Sequence, residues 1–165
     1  MARRARCMQS GPSRRDRVET DMATWILVAD EGRARLLEAE RADGALVERQ
    51  SFVHEEARQH ARDVVADRLP RAHESVGGAR HAIEPRTDLE TVEASRFARE
   101  LAAVLEQGRT AGRYQGLVLV APPRFLGVLR GTLSEGVLRH VTGSLDKDVT
   151  RDRIDAIAER VRPML

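Results

Sequence analysis

Four of the chain's five histidines, His54, His60, His73 and His81, fall in one polar stretch running from His54 to Arg86. Imidazole is the side chain whose ordinary charge change lies near neutral pH, so this clustering is the first feature that could do chemistry. The stretch also holds Arg58, Arg62, Arg68, Arg71, Arg80 and Arg86, against seven acids when Asp88 is counted, which leaves one net negative charge. It is therefore no simple basic patch. Protonation of all four imidazoles would reverse the sign, so binding to an anionic partner is expected to strengthen as pH falls through their range.

Other chemistries are weighed against the same residues. No pair of the histidines has the short spacing that specifies zinc, so neither a metal nor any other cofactor is expected. For any single side chain here, an ion-paired surface segment is the plainer reading. Gly77-Gly78, followed by Arg80 and His81, permits positive φ and close backbone approach, which suits a loop that cradles a phosphate or enters a tight groove. Asp30 near the start of the chain, with Asp146 or Asp148 near its end, could meet at one sheet edge and hold magnesium, although Asp30 suits a hairpin turn equally well. A hydrolase would have to use His81 with Glu84 or such a carboxylate set. No dinucleotide fingerprint, P-loop, nucleophile elbow or His-Glu-x-x-His pattern occurs.

Composition bounds these possibilities. With 165 residues, a formal charge of +2, 41% hydrophobic and 33% charged residues, the chain is expected to fold as one domain. No run of about eighteen uncharged apolar residues is present, so no membrane span is expected. A single cysteine, Cys7, allows no intramolecular disulfide, which fits a reducing, cytoplasmic location. Residues 1–21 hold six arginines and three acids without apolar periodicity, and are read as a disordered extension, with Met22 a plausible alternative start. Residues 22–165 are read as the domain. Aromatics make up 3%, too few for a base-stacking platform; Trp25, Phe52, Phe97 and Phe125 suit a core, and only Tyr114 falls in a loop.

The elements that must position these residues follow from patterning. Thr24 to Ala29 is a continuous apolar run, a strand covered on both faces, and Asp30-Glu31-Gly32 turns it into a returning strand, Arg33 to Ala39. Asp43-Gly44 turns again into Ala45 to Val53. The long loop 54–86 follows. Thr87-Asp88-Leu89-Glu90 fits a capping box, and Ala94, Phe97, Ala98, Leu101, Val104 and Leu105 mark one helical stripe, with Gly108 as its stop. Leu117 to Ala121 reads as a strand, Pro122-Pro123 opens a helix through Leu129, Ser134 to Leu138 adds a short helical piece, and a weaker strand lies around His140 to Leu145. Thr150 and Asp152 suit the start of a last helix carrying Ile154, Ile157, Ala158 and Val161. The order β-β-β-loop-α-β-α-β-α predicts an α/β fold, a mixed sheet of ribonuclease-H-like type.

The string Glu74-Ser75-Val76-Gly77-Gly78-Ala79-Arg80-His81-Ala82-Ile83-Glu84-Pro85-Arg86 resembles the bacterial host attachment protein family. Trp25 to Asp30, Phe52-Val53-His54, His60-Ala61-Arg62-Asp63, Phe97 to Leu101 and Leu117 to Leu126 resemble it in the same order, over roughly Met22 to Thr150. Leu69-Pro70 stands where that family's Pro-Gly turn is expected. The resemblance implies a ribonuclease-H-like fold similar to the central domain of archaeo-eukaryotic peptide-chain release factors, whose Gly-Gly-Gln loop promotes peptidyl-tRNA hydrolysis. Here Ala79 takes the glutamine's place after Gly77-Gly78, and alanine cannot orient a water by hydrogen bonding.

The combined expectation is a non-catalytic cytoplasmic protein that binds RNA or the ribosome through loop 54–86. Gly77, Gly78, Arg80, His81, Glu84 and Arg86 would shape the contact, with Arg62, Asp63 and Arg68 bracing it. A hydrolase acting on RNA or peptidyl-tRNA, and a protein-interaction module without nucleic acid, are the alternatives.

Overall fold

The computed structural model describes residues 23–39, 45–55 and 84–165, with the backbone alone for residues 84–90. Strands β1 (Thr24–Ala29), β2 (Arg33–Ala39) and β3 (Leu46–Val53) form an antiparallel meander. Helix α1 (Glu84–Thr110) leads to β4 (Gly116–Val120), α2 (Pro123–Thr132), the short α3 (Glu135–Leu138), β5 (Val141–Leu145) and α4 (Ile154–Val161), with a closing 3-10 turn at Arg162–Met164. The strands lie in the order β3-β2-β1-β4-β5, with β1 parallel to β4 and β4 parallel to β5. The described chain is thus a five-stranded mixed sheet with helices packed against it.

Alternation along the central strands explains why both faces are covered. Trp25, Leu27, Leu117 and Leu119 face Phe97, Leu101 and Leu105 of α1 and Phe125 and Leu129 of α2. Ile26, Val28, Val118 and Val120 face Ile157 and Val161 of α4. Successive side chains point to opposite sides of a strand, so an uninterrupted apolar run has to be buried twice. β3 departs from this pattern, since it stands at the edge and most of its side chains are exposed.

Several element boundaries differ from the sequence expectation, each for a local reason. α1 begins at Glu84, not at Thr87, so the anticipated capping box lies inside the helix and Glu84 and Arg86 belong to its first turn. Pro85 is tolerated there because an amide in the first helical turn has no intrahelical acceptor. The helix also runs past Gly108 to Thr110, and the turn to positive φ comes at Gly112, at 63°. Gly108 serves close packing instead: a Cβ on it would stand 2.3 Å from Trp25 Cζ3. α2 extends three residues beyond Leu129 to Thr132. α4 starts at Ile154 after Arg153, and Thr150 is not its cap.

Two ties hold the helical side together. Glu106 on α1 accepts from Arg109 Nε at 3.1 Å and from Ser134 Oγ at 2.7 Å, and these hydrogen bonds, Arg109's first, hold its carboxyl below the usual range. Ser134 Oγ in turn accepts from Val137 N at 3.2 Å, capping α3. Tyr114 lies in a loop, as expected, yet it is buried: its hydroxyl donates to Leu105 O at 2.9 Å and its ring centre is 4.7 Å from that of Trp25. Burial pushes its phenol up to about 12.

Candidate functional site

The described chain enters the 54–86 stretch at the end of β3 and leaves it along α1, and the residues at these two roots converge on the carboxyl end of β1. Arg62, Asp63, Arg68, Gly77, Gly78, Arg80 and His81 lie outside the described residues, as do His60, His73 and residues 1–22. Glu84 and Arg86 are placed by backbone alone. The site can therefore be built from its frame.

His54 anchors the first root. Its backbone amide donates to Gly32 O at 3.0 Å, which ties the end of β3 to the β1–β2 turn. Its side chain is 4% exposed and lies parallel to the Phe97 ring, with centres 5.1 Å apart. Nε2 is 3.2 Å from Glu93 Oε2 on α1. One imidazole thus touches the helix through both an apolar and a polar neighbour, and joins β3 to the element on which the segment returns. An imidazole has a flat face for stacking and two edge nitrogens for polar contacts, which suits it to such a joint.

Asp30 anchors the second part of the frame. Oδ1 accepts from the amides of Gly32 and Arg33, both at 2.7 Å, which is the turn chemistry expected of an aspartate after a strand. Oδ2 accepts from Thr150 Oγ1 at 2.7 Å. The same hydroxyl lies 2.9 Å from Asp148 Oδ1, and Asp148 Oδ1 accepts from the Thr150 amide at 3.2 Å. Asp30 and Asp148 therefore do meet at one sheet edge, with Thr150 between them. Asp30 is already occupied by two amides and a hydroxyl, and among the described residues no three His, Cys, Asp or Glu side chains gather as a metal set.

Arg35 clamps the loop that carries Thr150. Its Nη1 donates to Asp152 O at 2.8 Å and Thr150 O at 3.4 Å, while Nε and Nη2 reach Glu48 Oε2 at 3.0 and 2.7 Å. A planar fork of donors can serve carbonyls and a carboxylate together, which an ammonium could do less rigidly. Across the β1 end, Arg124 of α2 donates to Thr91 Oγ1 of α1 at 3.2 Å and lies 4.0 Å from Glu31.

Sequence reasoning brought Asp30 and Asp148 together, but it counted His54 only among the imidazoles of a polar loop, whereas the ring is buried against Phe97. It missed Thr150 and Glu93. The Asp148-Val149-Thr150 order did carry a local signal, because an aspartate side chain commonly caps the amide two residues on. Nothing local pointed Thr150 at Asp30 or Glu93 at His54.

Fold and frame together define the class: a mixed α/β domain whose carboxyl sheet edge is laced by side chains from β1, β3, α1, α2 and the loop after β5. The chain belongs to the family described as protein required for attachment to host cells, which it matches over residues 25–161. An uncharacterized protein of Rickettsia prowazekii (strain Madrid E) is 34% identical over 80 residues, 47% of this chain and 53% of that protein, so the matched part spans about half of that relative. Among solved structures, the crystal structure of the archaeal translation termination factor aRF1 is similar with a TM-score of 0.46 at 14% identity, over 90% of this chain and 38% of that one. No described helix is long and apolar enough to cross a membrane.

Proposed function

We propose that this protein is a non-catalytic cytoplasmic binding protein that acts on RNA or the ribosome through residues 54–86. The observation that carries the reading is the frame at the root of that stretch. His54, stacked on Phe97 and set against Glu93, joins the end of β3 to α1 at the same sheet edge where Asp30 and Thr150 meet. A rigid base of this kind is what a recognition segment needs if its glycine pair and cations are to be presented in one place. Gly77 and Gly78 would allow close backbone approach, Arg80, His81 and Arg86 would meet phosphate oxygens, Glu84 would orient them, and Arg62, Asp63 and Arg68 would brace the segment. The strand order, with three antiparallel strands followed by two parallel ones, supports the finer ribonuclease-H-like reading.

The test is sedimentation of the tagged full-length protein with ribosomal fractions over a series of salt concentrations. Co-sedimentation that weakens with salt, and weakens further in Arg80→Ala and Arg86→Ala, is the expected result. Ribosome-free sedimentation at low salt would overturn the reading in favour of a protein-interaction role. Turnover of peptidyl-tRNA or RNA that is lost in His81→Ala or Asp30→Asn would overturn its non-catalytic part.

A further inference from the structure

We draw no further inference here: the strongest candidate, the cluster of Asp30, Asp148 and Thr150 side chains at the carboxyl edge of the sheet, belongs to the site already described, and its hydroxyl and carboxylate oxygens bond one another and nearby amides, with nothing else among the described residues that points to a ligand.

Discussion

The Thr150 hydroxyl donates to Asp30 Oδ2 at 2.7 Å across a sequence separation of 120 residues. This contact closes the β5–α4 loop onto the β1–β2 turn, and Arg35 holds the same loop from below by its carbonyls. Thr150 is 3% exposed, so the hydroxyl has no water to replace a lost partner.

Thr150→Val keeps the shape and removes the hydroxyl, leaving Asp30 Oδ2 without that donor while Asp148 Oδ1 keeps the amide of residue 150. The expected loss is about 1–3 kcal/mol, the cost of stranding a partly buried acceptor. Chemical denaturation followed by Trp25 emission measures it. A midpoint shift near zero would mean that the clasp contributes nothing.

His54→Ala removes the ring that stacks on Phe97 and sits against Glu93. A cavity next to a buried phenylalanine is expected to cost about 2–4 kcal/mol. Thermal unfolding should show a lowered midpoint, with a smaller shift for Glu93→Gln, which keeps the stack. If the proposed function holds, ribosome co-sedimentation should fall in His54→Ala at temperatures where the protein is still folded, because the segment's root is loosened.

Tyr114 gives the pH prediction. Its phenol is pushed up to about 12 by burial, with Glu106's charge acting in the same direction, whereas an unfolded tyrosine ionises near ~10. The folded state therefore keeps its proton over a range in which the unfolded state has lost it. The stabilisation held below the unfolded value is lost as pH rises from there through the folded value, so stability should decline between roughly pH 10 and pH 12. Tyr114→Phe should flatten that decline and cost about 1 kcal/mol at neutral pH through the lost bond to Leu105 O. Denaturation midpoints across the alkaline range would show both effects.

Gly108→Ala reverses the usual helix preference. Alanine normally stabilises a helix interior by about 1 kcal/mol over glycine. Here the added Cβ would stand 2.3 and 2.4 Å from two Trp25 ring carbons, so the ring or the helix must shift. The net outcome expected is destabilisation of about 1–3 kcal/mol with a changed Trp25 emission, and a variant more stable than the parent would contradict the packing described.

Much of the frame is legible from residue order because it depends on local chemistry. The doubly apolar runs at Trp25 to Ala29 and Leu117 to Val120 announced buried central strands, and both are buried on both faces. The Asp30-Glu31-Gly32 turn and the Pro122-Pro123 helix start were readable for the same reason: each is satisfied by neighbours within a few residues. Errors fell where two local signals compete. Thr87 resembled a cap better than Pro85 resembled a first-turn residue, and Gly108 resembled a stop, yet packing against Trp25 accounts for that glycine inside the helix.

By itself the amino-acid order determined the element types, the mixed strand arrangement and the membership implied by ordered motifs, since periodicity and turn chemistry act over short spans of chain. Only the tertiary structure decided that Thr150 meets Asp30, that Glu93 faces His54, and that Arg49, the extra residue of a bulge, meets Glu38. Those contacts follow from how strands register and how a helix lies across a sheet, which are set by the summed packing of distant residues and leave no trace in the spacing of any one segment.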